Sequence, residues 1–565
     1  MKKIIFSGLL LFSMSQALAQ SNNFNLKKLE KKVQQVIEKA YKASVYINKF
    51  DVVNGVEETG GCSAVVVNAA GYILTAGHCV VPGQQYRVHF PNGQNFMAIG
   101  LGSISQTLND AGMLKIIDKG NWPYAEMGWS SSLKSYSACV GISYPGNLSN
   151  RGLISPTVRL GYIINTNPQN AEYKAFLQST CLMEPGDSGG PLFDLLGRVI
   201  AIHSRIGKIL DENYEVPVND FRKYWKGLIQ PKNYKAYPDT QYFSSDPDIA
   251  QIEVLPAIQN LKIDSGLKSY GIDGIGSSVK VRSMFDQQEK VIQATLIDAF
   301  TYTHSDLKSS YLISKSSMVG AVPVIELANG ELISGEIVNR DEESDLVLIA
   351  VKRKLKGGIK LFEHVVAKTS DIGKLMLSPL ANRQKKISVL GNVPLTALIL
   401  RGELSFPLLK EGKLLFTAPD MTSPVRAAKL QKGDELKSIN KIPVHDLKSV
   451  QEELSKYQPG DSISIAYKRG GLELDKKIKL YKAVPSDFSL HVAEGFSGGK
   501  SVRRDGFGPV LIHDAALLPE ECGGALLGID GKFYGLNIAR LSRTINLAIP
   551  AKTVLKFVEN SLNNH

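Results

Sequence analysis

No run of Lys or Arg in these 565 residues is long enough to serve as a nucleic-acid-binding arm, and no RNA- or DNA-recognition motif is present. The net charge of +12, from 66 basic and 54 acidic side chains, therefore reads as a solvated basic surface. Long apolar runs are also missing. The stretch Ile4 to Phe12 is too short to span a bilayer. With Lys2 and Lys3 before it and Ala17-Leu18-Ala19 behind it, the stretch reads as a signal peptide over 1–19, cut after Ala19. No Cys follows that site, which argues against a lipoprotein, so an exported chain without a stable membrane anchor is expected. Cysteines are scarce: Cys62, Cys79, Cys139, Cys181 and Cys522. The first four allow three pairings in an oxidising compartment. Cys62–Cys79 is expected, because that bridge ties a histidine loop to the strand leading into it. Cys139–Cys181 is the second expectation, and Cys522 is left as a free buried thiol.

What is present is long enough for three or four cores. Leu26, Leu29, Val33, Val36, Ile37 and Ala40 recur at helical spacing and predict a helix over 26–45. Short β-rich runs follow, among them 64–67, 72–75, 86–90 and 199–203, without intervening helices, as in a barrel or sandwich. Four prolines between 231 and 265 predict a linker. β-rich sequence resumes over about 278–393 and again near Gly506, and a helix over 552–562 ends the chain. The chain also echoes itself. Ser188-Gly-Gly-Pro-Leu-Phe resembles Cys522-Gly-Gly-Ala-Leu-Leu. Tyr72-Ile-Leu-Thr-Ala-Gly-His78 resembles Tyr311-Leu-Ile-Ser-Lys-Ser-Ser317, and the strand opened by Asp110 resembles that opened by Asp345. Two copies of one fold are predicted.

A serine hydroxyl needs a base in hydrogen-bond reach, a group that orients the base, and donors for the oxyanion. In Gly186-Asp187-Ser188-Gly189-Gly190-Pro191 the glycine permits a tight turn that points the amides of Gly186 and Ser188 at one oxygen. His78, in Thr75-Ala76-Gly77-His78-Cys79, stands at the end of an apolar strand as the base, and Asp110 opens the next strand as its orienter. Asp118 is the neighbouring alternative but lies after that strand. The order His, Asp, Ser, with spacings of 32 and 78 residues, is one of the known triad orders.

Thr-Ala-Gly-His-Cys together with Gly-Asp-Ser-Gly-Gly-Pro resembles the trypsin-like superfamily. The hairpin Asn68 to Leu74, Asn92-Gly93 and Glu184-Pro185-Gly186 resemble its HtrA/Deg branch. The resemblance implies paired six-stranded β-barrels with the site between them and no metal or cofactor. Asp187 is read as a turn-stabilising residue, because no cleaved N-terminus is placed to reach it. Leu182, six residues before Ser188, implies aliphatic or small side chains as substrate preference, with Ser204 and Arg205 as wall residues of the pocket.

The second copy lacks a histidine at Ser317 and carries Cys522 for the serine, so a proteolytically silent domain is predicted. Asp345 and Cys522 are 177 residues apart, 99 more than Asp110 and Ser188. The segment 401–483 accounts for 83 of these and resembles a PDZ domain, with a helix from Leu447 to Tyr457 and a strand to Lys468. Its implied peptide-binding loop is Gly402, Glu403, Leu404, Ser405 and Phe406. The expected fold is mostly β: two trypsin-like double β-barrel domains, the second degenerate, plus an α+β PDZ domain. The expected boundaries are 20–230 for the protease domain, 266–400 and 484–565 for the degenerate one, and 401–483 for the insertion. The expected function is an exported serine endopeptidase, periplasmic or secreted, acting on unfolded proteins or peptides, with a homo-oligomer open. A non-catalytic peptide-binding or chaperone-like protein and an esterase are the rivals.

Overall fold

A computed structural model describes residues 26–254 and 277–563, apart from 54, 59, 150–152, 169–172, 286, 299–308, 394–401, 404–407, 411, 417–427, 455, 458–460, 483–492 and 494. The expected signal peptide lies outside these residues. The first helix, α1 (Leu26–Ala43), follows from an apolar stripe whose members Leu26, Leu29, Val33, Val36, Ile37 and Ala40 are all buried.

Besides the short strand Val56–Glu57, which pairs only with the first, six strands follow it: β1 (Ser44–Asp51), β2 (Cys62–Val66), β3 (Tyr72–Ala76), β4 (Gln85–His89), β5 (Asn95–Ile104) and β6 (Ala111–Ile116). They pair in a ring, in the order first, second, third, sixth, fifth, fourth. The next six, β7 (Ala138–Ser143), β8 (Thr157–Asn165), β9 (Leu177–Ser179), β10 (Pro191–Phe193), β11 (Val199–Ile206) and β12 (Asn213–Pro217), close a second barrel with the same order. Closure removes the exposed strand edges an open sheet would carry.

The second half repeats this plan. Strands β13 (Ser278–Phe285), β14 (Gln288–Ile297), β15 (Ser310–Lys315), β16 (Val324–Glu326), β17 (Leu332–Ser334), β18 (Glu336–Asp341) and β19 (Leu346–Val351) keep the order of the first barrel. The ring is opened at Gly335, which splits the fifth strand into β17 and β18. Then β20 (Leu375–Pro379), β21 (Lys385–Asn392), β22 (Leu511–His513), β23 (Ala525–Gly528), β24 (Phe533–Arg540) and β25 (Asn546–Pro550) close a barrel with the same order as β7 to β12. Helix α2 (Ala551–Asn563) ends the described chain. Between β21 and β22 lies a separate small unit with its own core, including Leu436, Ile439, Val450, Ile463 and Ile478, and a helix over Leu447–Leu454.

The two halves share one core. A single buried cluster runs from Leu26 through Val158 to Val389 and Phe557. Glu30 on α1 accepts the Leu375 amide at 2.8 Å, so this helix is packed against both halves.

Of the expected linker 231–265, residues 231–254 are fastened to the first half, and 255–265 lie outside the described residues. Asn233–Tyr234 pairs in parallel with β5. The guanidinium of Arg198 holds Asp246 at 2.9 Å and Asp248 at 3.1 Å, and Lys32 pairs with Glu253. Proline spacing marks irregular backbone, but these ion pairs lie far apart in sequence and leave no local pattern.

Candidate active site

Strand β3 ends at Ala76 and turns through Gly77, whose amide donates to Asp110 O at 2.6 Å. A Cβ at Gly77 would meet Ile104 O at 2.4 Å, so only glycine fits this approach. The turn presents His78. Its backbone N–H donates to Asp110 Oδ1 at 2.9 Å, and its ring Nδ1 lies 2.9 Å from Asp110 Oδ2. Asp110 is fully buried and has φ 56°, an unusual left-handed backbone that is held by these bonds. Ser204 Oγ donates to the same Oδ2 at 2.6 Å. Ser204, expected as a wall residue of the pocket, thus bonds the same carboxylate oxygen as the His78 ring. Asp118 accepts the Met97 amide at a strand end and takes no part in this cluster.

The Ser188 turn is stitched to both barrels of the first half. Gly189 N–H donates to His203 O and Ser63 N–H donates to Ser188 O, at 2.8 and 2.9 Å. Ser63 Oγ donates to Gly186 O at 2.8 Å. Gly186 has φ 97°, and Pro185 O accepts the Gly146 amide at 2.7 Å. Among the described residues no hydrogen bond uses the amide of Gly186 or of Ser188, so both remain free to donate to an incoming oxygen. No hydrogen bond joins the His78 ring to Ser188 Oγ, a contact that often tightens only with substrate bound. Cys62 and Cys79 are bridged beside this turn. A ring nitrogen of His78 lies within 4.8 Å of both sulfurs, which are bound to each other and offer no metal ligand.

Asp187 is buried against Arg159 of β8. Two bonds of 2.7 and 3.1 Å join guanidinium and carboxylate, and Ser143 Oγ adds a third at 2.8 Å. Burial disfavours the Arg159 charge, but Asp187 outweighs it and holds the guanidinium above its ordinary value. Arg159 also donates to Leu182 O at 3.0 Å. A cation from within the chain therefore supports the turn. Its sequence signal is a charge on the same strand face as Thr157, Gly161 and Ile163, which points into the barrel.

Cys139 and Cys181 are not bridged, contrary to expectation. Their sulfurs are 3.7 Å apart and both side chains are buried, packed as small apolar groups in the barrel core.

The corresponding region of the second half is built differently. Asp345 has φ 59°, like Asp110, but Lys315 Nζ sits 3.1 Å from its carboxylate, both groups being buried. Ser317 Oγ donates to it at 2.8 Å. The Cys522 amide donates to Pro519 O at 3.3 Å, and Cys522 Sγ is fully buried. Burial pushes this thiol above its ordinary value. His513 is buried in β22 beside Ser388, and His304 lies outside the described residues. In the inserted unit Gly402–Glu403 pairs with Tyr481–Lys482, while Leu404, Ser405 and Phe406 lie outside the described residues.

A family model described as "Trypsin-like peptidase domain" matches residues 62–202, and one described as "PDZ domain" matches 408–480. The chain is 29% identical over 163 residues to a "Probable periplasmic serine endoprotease DegP-like" of Pseudomonas fluorescens, covering 28% of this chain and 32% of that protein. It is 30% identical over 175 residues to "Putative protease Do-like 14" of Arabidopsis thaliana, covering 28% and 39%. It is 27% identical over 252 residues to "Serine protease HTRA3" of Homo sapiens, covering 40% and 54%. The chain thus spans about a third to about half of these relatives. It carries a trypsin-like peptidase domain and a PDZ domain.

Proposed function

We propose that the chain is an HtrA/Deg-like serine endopeptidase with a single working site at Ser188. In this reading Ser188 Oγ attacks the scissile carbonyl carbon while His78 Nε2 takes its proton. Asp110 holds the ring through Nδ1, and the amides of Gly186 and Ser188 receive the oxyanion. Collapse expels the amine, protonated by His78, and water then repeats the sequence to release the acid. The observation that carries the reading is the contrast between the halves. One has a His–Asp–Ser204 chain beside two unused amides. The other has Lys315 on the aspartate and the Cys522 amide already bonded to Pro519.

The reading extends to export by cleavage after Ala19, to unfolded proteins with aliphatic or small side chains at the cut, and to a PDZ groove that adds a peptide strand to its sheet. The second half is read as a degenerate protease domain without hydrolytic chemistry. The name "periplasmic serine endoprotease" of the bacterial relative supports the location. The test is labelling with a fluorophosphonate, followed by casein digestion, for wild type and Ser188→Ala. The expected result is labelling and cleavage by wild type alone. Labelling without casein cleavage would favour an esterase, and no labelling would favour a peptide-binding protein.

A further inference from the structure

We propose that the turn between β24 and β25 in the second half is the activating element of the Ser188 site, with Thr544 and Arg543 as positioning residues. This rests on the peptidase reading and adds a regulator to it. The turn occupies the same place in its barrel as the turn 207–212 between β11 and β12 does in the other. The two equivalent turns meet. Beside them β8 and β21 approach so closely that a Cβ at Gly391 would lie 2.6 Å from Val158 O. Asp514 accepts amides from both of these strands, Leu160 at 3.0 Å and Val389 at 2.7 Å. The halves thus pack as a pseudo-symmetric pair within one chain.

Thr544 Oγ1 donates to Glu184 Oε2 at 2.8 Å and accepts from Arg159 Nη2 at 3.4 Å. Glu184 and Asp187 bond each other's backbone, and Arg159 holds Asp187, so Thr544 touches the frame of the oxyanion turn. Arg543 Nη2 donates to Ile209 O at 2.8 Å, Leu210 O at 3.0 Å and Asn213 Oδ1 at 3.3 Å. Asn213 Oδ1 accepts the Met183 amide at 3.2 Å, which links the turn 207–212 back to the approach to Ser188. Two neighbouring side chains of the second half therefore clamp the two segments that flank the nucleophile.

Arg543 is buried, has no ion pair among the described residues, and leaves Nε without a partner. An apolar side chain would satisfy such a place at lower desolvation cost. What a guanidinium does that an apolar group cannot is hold several carbonyls at fixed positions. Oxyanion donors contribute only when held in place beforehand, so this clamp makes the first half dependent on the second.

The test uses the full chain with Thr544→Val, Thr544→Ser, Arg543→Ala and Arg543→Lys. Measured are the fluorophosphonate labelling rate, kcat and KM on a chromogenic peptide, and the melting temperature. Loss of a single oxyanion donor costs roughly 100- to 1,000-fold, so Thr544→Val, which only loosens the donors, is expected to lower kcat about 10- to 100-fold with KM nearly unchanged. Thr544→Ser is expected to restore kcat. Arg543→Ala is expected to fall likewise and to recover partly in millimolar guanidinium, while Arg543→Lys stays low. Labelling and kcat of Thr544→Val and Arg543→Ala equal to wild type would overturn the proposal. So would a fall in kcat that Thr544→Ser does not reverse. Wild type that does not label would defeat the peptidase reading itself. If Arg543→Ala loses its fold, the Val/Ser pair at Thr544 decides alone.

Discussion

Replacing Asp187 by Ala strands a guanidinium. The carboxylate accepts four hydrogen bonds: two from Arg159, one from Ser143 Oγ and one from the Glu184 amide. The Arg159 and Asp187 side chains are 1% and 0% exposed, so water cannot take over. Breaking a buried pair from one side costs about 3–5 kcal/mol. That is a large part of a typical domain's ~5–15 kcal/mol. It corresponds to a melting temperature lower by roughly 6–20 °C at two to four degrees per kcal/mol. The same change frees the Ser188 turn from Arg159, so under the proposed peptidase function kcat is expected to fall about 100-fold or more. A second variant separates the two effects. With Asp187→Leu and Arg159→Met together no buried charge is left, and stability is expected to return to within about 2 kcal/mol of wild type. The rate is expected to stay low, because Leu182 O and the turn remain untied. Urea unfolding and peptide hydrolysis measure the two separately. The reasoning is refuted if Asp187→Ala unfolds at the wild-type urea concentration, or if the double variant regains the rate along with stability.

Three shorter predictions concern the same half. Ser204→Ala removes a hydrogen bond to a buried carboxylate, a loss of about 1.5–3 kcal/mol that is expected to lower kcat/KM about 10- to 100-fold, and an unchanged rate would dismiss Ser204 as an orienting group. Burial holds His203 down at about 3 from an ordinary 6.5, with Arg159 adding to the effect. The unfolded chain takes up a proton below pH 6.5 and the folded one does not, so stability falls as pH drops from 6.5 toward 3. Between pH 6.5 and 4 the expected loss from this group is about 3 kcal/mol. Urea midpoints across that range should slope more for wild type than for His203→Leu, and parallel slopes would count against it. Replacing Cys62 and Cys79 together by Ala opens a bridge with a sequence separation of 17 and is expected to cost about 3 kcal/mol, read by the same unfolding assay; a neutral pair would mean the bridge adds no constraint.

Helix α1 and the strands around His78 and Ser188 follow from short-range periodicity, because burial on one face at a spacing of 3.6 or 2 is written locally. The repeat of Ser188-Gly-Gly as Cys522-Gly-Gly predicted two copies, and the strand order recurs in both halves. The place of Asp110 at the start of a strand favours it over Asp118, and of the two only Asp110 bonds His78. The helix expected to run to Tyr457 in the inserted unit is described as far as Leu454, and Tyr457 lies outside it.

By itself the sequence determined the kind of elements, their order, the duplication, and the residue types gathered at His78, Asp110 and Ser188. Only the tertiary structure decided which polar groups meet. Ser204 reaches Asp110 across 94 positions, and Thr544 reaches Glu184 across 360. It also left Cys139 and Cys181 as separate thiols and fastened 231–254 to the first half. The physical reason is the same in each case. Periodicity encodes which face of a strand is buried, but not which distant strand end, turn or buried charge will lie against that face.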